Sequence, residues 1–354
     1  MKTSSRQSPA VPRYRVRGSA AEIAAALRCA REGHWVLGPD LGGATKEIER
    51  LFPGRACALT SSGFSALLGA LESLSLRRQP VIVPMASTCF AIVNAVIASG
   101  NKPVFADVDP ADGNLSFDAV RLARKQSGAR WVISPNHFGA PGATSRFQTE
   151  LGLRVIEDAA QSFLTTQATG TSADILVLSF YPTKTVNGID GGCVLSSNGS
   201  LIQRVRQWTY YDSQTRIDAA PRFNCRLPNI HAAVLSVNLK RLRVLRERHM
   251  GLRHRFDSAF ARPDRVLGGQ ATGAILSRYV LRFDTPNRCR RFQELFASRK
   301  IECGPPLLWT APASERRGTT AARLVGCTAL IPFHEELNRR ETVLIEQTLR
   351  TASL

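Results

Sequence analysis

Short apolar runs that end abruptly in polar or turn-forming residues, alternating with stretches of helical period, constrain this chain more than any other feature. Residues 57–60, 81–84, 103–108, 131–134, 154–157, 175–180 and 192–195 read as strands of this kind. Between and before them, 20–33, 44–52, 64–75, 91–99 and 118–126 carry apolar residues at helical spacing. Strands joined through helices pair in parallel, and the crossover helices cover both faces of the sheet. The run at 175–180 is almost continuously apolar, as a strand buried on both sides must be. The expectation is an α/β fold whose large domain holds a mostly parallel, mixed sheet flanked by helices.

The pattern changes after about residue 245. A basic stretch, 240–248, continues through Arg253 and Arg255, and its Leu235, Leu239, Leu242 and Leu245 recur at helical spacing. This predicts one long helix with its arginines on a solvated face. Residues 279–283 alternate like a half-exposed strand, and helices are expected over 288–299 and 339–351. The reading is a flexible basic N-terminal arm over 1–17, a large domain over 18–245 and a smaller C-terminal α/β domain over 246–354.

A chain of 354 residues is long enough to bury both cores. No apolar run approaches the roughly 20 residues that a membrane helix needs, so no membrane partner is expected. Eight cysteines are scattered without a C-x-x-C pair, which reads as free thiols in a reducing cytoplasm and gives no metal framework. The net charge of +19 invites a nucleic-acid reading. No aromatic residues interleave the basic stretch to stack on bases. An anionic substrate accounts for part of the charge equally well.

Two strand ends carry chemistry. Val155-Ile156-Glu157-Asp158 delivers a carboxylate, and Ser179-Phe180-Tyr181-Pro182-Thr183-Lys184 delivers an amine one strand later. Ligands of open α/β sheets bind in the crevice at the carboxyl ends of the strands, where such a pair can meet. Pyridoxal phosphate (PLP) chemistry needs that pair: a lysine to form the Schiff base and an acid facing the pyridine nitrogen. Ser61-Ser62-Gly63, at a strand-to-helix turn, offers a phosphate cradle of backbone N–H groups, although a serine there also serves as a plain helix cap. Gly188, Gly191 and Gly192 let the backbone close around a bound group. His137 ends another strand and is a possible substrate contact or an ordinary buried histidine.

Together, in order from Trp35 to about Leu349, these segments resemble the DegT/StrS family of sugar aminotransferases, fold-type I PLP enzymes. The specific parts are 155–161, 179–184 with Gly191-Gly192, and Phe223-Asn224-Cys225-Arg226-Leu227. Supporting parts are Asn94-Ala95-Val96, 100–109, His137-Phe138-Gly139 with Pro141, and the closing Ile331-Pro332-Phe333-His334. The resemblance implies that Lys184 forms the Schiff base and moves the substrate proton. Asp158 then pairs with the ring nitrogen and Gln161 reaches the ring hydroxyl. Ser62, Gly63 and Ser179 hold the phosphate, with Asn224 arriving from the neighbouring subunit of a homodimer. It also implies Cys89 beside the cofactor, and His137, Tyr181 and His334 toward the substrate. The implied reaction carries an amino group from an amino acid, L-glutamate, to a nucleotide-linked keto-sugar in polysaccharide or natural-product biosynthesis.

Phe64 stands where relatives carry a threonine, and Ser162-Phe163-Leu164 replaces Ala-His-Gly in a region expected near the substrate. Three alternatives stay open: a PLP-dependent sugar dehydratase, a transaminase of a non-sugar ketone, and a catalytically silent binding protein on the same fold.

Overall fold

The computed structural model describes residues 10–211 and 221–352. Seven strands form one sheet: β1 (Ala56–Thr60), β2 (Pro80–Pro84), β4 (Lys102–Ala106), β5 (Trp131–Pro135), β6 (Arg154–Asp158), β7 (Ile175–Ser179) and β8 (Gly192–Ser196). Two-residue β3 (Ala86–Ser87) pairs with β10 (Leu308–Trp309), and β9 (Tyr279–Arg282) pairs with β11 (Thr328–Ile331). The order in the large sheet is β1-β8-β7-β6-β5-β2-β4. The pairs among β2, β4, β5, β6 and β7 are parallel, whereas β8 runs antiparallel to both β1 and β7. The sheet is therefore mostly parallel and mixed.

The apolar runs are continuous because both faces are covered. Ile175 and Val177 point into a cluster with Leu67, Ile133 and Val194. Leu176 and Leu178 point the other way, into a cluster with Phe52, Phe163 and Leu235. Each such side chain contributes about 1.5–3 kcal/mol by leaving water. Parallel strands carry their carboxyl ends to one edge, which brings Asp158 and Ser179 together. Antiparallel β8 begins at that same edge, with Gly192 opposite both Thr60 and Ser179.

The helix Pro39–Leu51 begins before the expected 44–52. Pro39 fits the first helical position, where no N–H is needed. Gly38 gives no side-chain cap; the buried Asn229 does so from far along the chain, its Oδ1 accepting from Asp40 N at 3.0 Å and Leu41 N at 3.3 Å. The long basic helix is in fact two, Asn229–Leu239 and Leu242–Ala259, broken at Lys240 and Arg241. Leu235, Leu239, Leu242 and Leu245 nevertheless share one buried cluster, so the apolar stripe holds across the break.

Strand β9 is not half-exposed: Tyr279, Val280 and Leu281 are completely buried. Tyr279 and Leu281 enter a core with Phe256, Phe292 and Ile345, while Val280 enters another with Phe138, Leu267 and Leu307. The expected loose arm also needs correcting where it is described. Val11 is buried and bridges to Ile301, Arg13 pairs with Glu302 at 2.8 Å, and Arg15 pairs with Glu341 at 2.6 Å. Residues 1–9 of that arm lie outside the described residues. Among the described residues, no helix is long and apolar enough to cross a membrane.

Candidate active site

A cleft of about 540 Å³ opens at the carboxyl ends of the parallel strands. Ser62, Gly63, Cys89, Asp158, Gln161, Ser179, Tyr181 and Lys184 all line it. Eight residues spread over more than a hundred positions of sequence thus meet in one place.

Asp158 is the last residue of β6 and nearly buried; its Oδ1 accepts from Ala160 N at 3.0 Å. Burial pushes its carboxyl above the usual range, opposed by the Ala160 N–H and by Lys184. Lys184 sits in the turn after β7, where its N–H donates to Tyr181 O at 2.8 Å. Burial lowers its ammonium, the positive charge of Arg278 lowers it further, and Asp158 works in the opposite direction. An amine held this way gives up its proton more readily than an exposed lysine.

The strand-to-helix turn at 60–65 is built around two glycines. A Cβ on Gly63 would lie 2.7 Å from Ser179 Cβ, and one on Gly192 would lie 2.5 Å from Ser62 O. Gly192 therefore packs on the Ser62–Gly63 backbone and Gly63 on the Ser179 side chain, a closeness that only glycine allows. Ser62 caps the helix Gly63–Ser73, its Oγ accepting from Ser65 N at 3.1 Å. The N–H groups of Gly63 and Phe64 open that helix and have no intrahelical acceptor within reach, so they face outward with the positive end of the helix dipole.

Gln161 is held at both ends of its amide. Its Oε1 accepts from Phe138 N at 2.9 Å and its Nε2 donates to Thr88 Oγ1 at 2.7 Å. Phe138 adopts a left-handed backbone (φ 60°), an uncommon state for a bulky residue that surroundings must enforce. Those surroundings include Gln161 on one side and Ser277, whose N–H donates to Phe138 O at 2.8 Å, on the other.

Three expected site residues do not line this cleft. His137 is buried beneath it with both ring nitrogens engaged. Nδ1 meets Gly113 O at 2.9 Å and Nε2 meets Ser87 Oγ at 3.1 Å. A carbonyl only accepts, so Nδ1 carries the hydrogen and Nε2 accepts from the serine. Burial pushes His137 down to about 4, so it is a neutral strut at pH 7, and it lines a small cavity with Cys89, Asp158, Gln161 and Lys184. His334 bonds to Pro12 O at 3.2 Å and lines a separate cavity with Arg248 and Arg255. Asn224 is exposed and forms a bridge with Tyr210; it does not line the cleft, although the O of its neighbour Cys225 accepts from Ser61 N at 2.7 Å beside the strand-to-helix turn.

The 162–164 segment contributes to the core beneath the site. Phe163 and Leu164 belong to the buried core, with Phe163 edge-on to Phe52 at 5.7 Å. Ser162 Oγ accepts from Asn136 Nδ2 at 3.1 Å. Phe163 and Leu164 also line the small cavity that Lys184 and Arg278 share. Sequence reasoning missed Arg278, Tyr14 and Phe138 as cleft residues. Arg278 is one of 47 Lys and Arg residues, and only its burial in the fold distinguishes it.

Residues 17–341 match the DegT/DnrJ/EryC1/StrS aminotransferase family, and the chain belongs to that family. It is 29% identical over 220 residues to a dTDP-3-amino-3,4,6-trideoxy-alpha-D-glucose transaminase of Micromonospora megalomicea subsp. nigra, covering 59% of this chain and 58% of the relative. It is 27% identical over 250 residues to the transaminase of the same name from Streptomyces venezuelae, covering 67% and 65%. The chain thus spans about three fifths of the length of these relatives. Among solved structures it is similar to NtdA from Bacillus subtilis with bound cofactor PMP, at a TM-score of 0.83, 20% identity, and 94% and 82% coverage. That likeness shows that the chain shares the fold of that structure, the α/β architecture that the alternation of strands and helices implies.

Proposed function

We propose that this protein is a PLP-dependent aminotransferase that carries nitrogen from an amino acid, L-glutamate, to a keto-sugar borne on a nucleotide. The observation that carries the reading is the meeting of Asp158 and Lys184 in one cleft, beside a glycine-lined helix N-terminus. The residues present fit the cofactor. The cradle where Gly63 and Gly192 leave no room for a Cβ suits a phosphate, and the outward N–H groups of Gly63 and Phe64 suit its charge. Family membership and relatives named as sugar transaminases support the same reading.

When bound, PLP supplies an electron-poor ring that accepts the electron pair left as the donor's Cα–H bond breaks. Lys184 Nζ would hold the cofactor's aldehyde carbon and, once released, take up the Cα proton and return it. Its lowered proton affinity keeps a neutral amine available for this. Asp158 would hold a proton on the pyridine nitrogen, an arrangement that returns its own carboxyl to the ionised state. Gln161, fixed by Phe138 and Thr88, has one amide hydrogen left to orient the ring. Phe64, half in the cleft and 38% exposed, takes the place of a hydroxyl at the phosphate, leaving the backbone to do that work.

The working unit in this reading is a cytoplasmic homodimer. Asn224 is exposed in a segment able to serve a second copy, and Trp35, Val36 and Leu37 present apolar surface that a partner would cover. Residues 18–245 would hold the cofactor and 246–354 would close the cleft. The test is stepwise. Protein loaded with PLP is treated with L-glutamate, desalted, and then given a nucleotide-linked keto-sugar. Amino-sugar detected by mass spectrometry supports the reading. Release of 2-oxoglutarate without amination of any keto-sugar would move the acceptor to another class.

A further inference from the structure

Arg278 is a buried cation without an acid to balance it. The residue is 7% exposed, and it lines both the main cleft and the small cavity behind Lys184. Its acceptors are backbone carbonyls: Nη1 donates to Ser277 O at 2.6 Å and Nη2 donates to Thr183 O. The Tyr14 ring lies 4.8 Å from its Cζ. Among the described residues, no carboxylate stands within ion-pairing distance of it. Arginine is almost never buried unless paired, because stripping water from a charge is costly. A guanidinium has five N–H donors, arranged in a fork that matches a carboxylate with two parallel bonds. Two carbonyls leave most of that fork free.

We propose that Arg278 receives the α-carboxylate of the amino donor. This rests on the transaminase reading and adds to it the residue that selects α-amino acids. The geometry follows from the donor itself. Its amine must come to the atom that Lys184 Nζ serves, and its α-carboxylate carbon stands about 2.5 Å from that amine across one tetrahedral carbon. The counter-charge must therefore lie on the wall shared with Lys184, and Arg278 is the cation on that wall. Donor binding would also have a second effect. Arg278 holds the Lys184 ammonium down, so an arriving anion that neutralises it makes Lys184 a stronger base at the moment a proton must be taken.

The test separates recognition from support, because Arg278 also anchors Thr183, next to Lys184. L-2-Methylglutamate and its 1-amide are titrated calorimetrically into PLP-loaded protein, wild type and Arg278→Gln. The 2-methyl group replaces the hydrogen that would be removed, so only binding is read. The wild type is expected to prefer the acid by about 10- to 100-fold, the range of one charge-assisted pair. Arg278→Gln is expected to erase that preference while the visible PLP band stays. Arg278→Lys, which keeps the charge but not the fork, is expected to retain part of it. A preference that survives in Arg278→Gln overturns the proposal. So does equal weakening of acid and amide with the preference intact, which would make Arg278 a prop for the loop. A wild type that forms no visible band with PLP would instead strike the transaminase reading beneath it.

Discussion

Gly192→Ala puts the phosphate cradle to the test directly. The new Cβ would meet Ser62 O at 2.5 Å, Ser62 C at 2.7 Å and Gly63 N at 2.8 Å. Ordinary contact begins near 3.4 Å, so the turn must retreat by about 1 Å. The obstacle is backbone pinned at both ends. Gly192 lies in register with Thr60 and Ser179, and Ser62 caps the following helix. Overpacking of this kind costs about 1–3 kcal/mol. In a chain of 354 residues each kcal/mol lowers Tm by about 1.3 °C, so the apo protein should melt about 1–4 °C lower. The Gly63 and Phe64 N–H groups move with the turn, and losing one charge-assisted bond weakens anion binding by about 10- to 100-fold. Thermal melting without PLP gives the first number, and a fluorescence titration with PLP gives the second. Gly199→Ala, where a Cβ meets nothing within 4 Å, is the control and should leave both unchanged. Wild-type Tm together with wild-type PLP affinity in Gly192→Ala would refute the close-approach argument.

Two further substitutions test the supports of the site. His137 is held near 4 by burial, below an unfolded value near 6.5. A depressed value means its contribution is present above pH 6.5 and is lost as pH falls through about 4, worth up to about 3 kcal/mol. Denaturant unfolding from pH 7.5 to 4 should therefore show a shallower acid loss in His137→Gln than in wild type; parallel curves would show that His137 is not the buried neutral strut. Asn229→Ala strips the Asp40 and Leu41 N–H groups of their cap and leaves Asp40 Oδ2 without the Asn229 amide at 3.0 Å. Its cost should be about 2–3 kcal/mol by chemical denaturation, and a loss under 0.5 kcal/mol, of the order seen at ordinary surface sites, would contradict the role given to it.

The strands of the large sheet could be read because each is apolar on both faces, and their ends could be read because Asp158 and Lys184 break the apolar runs. The same logic failed for β9, where alternation suggested water on one side. There the step from Tyr279 to Val280 changes core, not solvent, and only the packing of Phe256, Phe292 and Phe296 on one face and of Phe138 and Leu307 on the other shows it. Two-residue β3 and β10 carry no period at all. The helix Phe163–Thr169 is too short to show a period, and that Phe163 and Leu164 complete a core is visible only in the fold. His137 was placed correctly at a strand end, but its role depends on Gly113 and Ser87, which sequence spacing does not bring near it. Arg278 had no signal of its own; its meaning comes from being buried next to Lys184 with only carbonyls for company.

Lys184 and Asp158 together define the proposed PLP site. The most direct measurement is the visible absorption spectrum of purified wild type and Lys184→Ala, each incubated with PLP and desalted, before and after L-glutamate. Wild type should show a lysine-dependent visible band that L-glutamate converts, and Lys184→Ala should show no such band while keeping wild-type gel-filtration behaviour. A band that persists in Lys184→Ala, or a wild type that retains no PLP, would contradict this assignment.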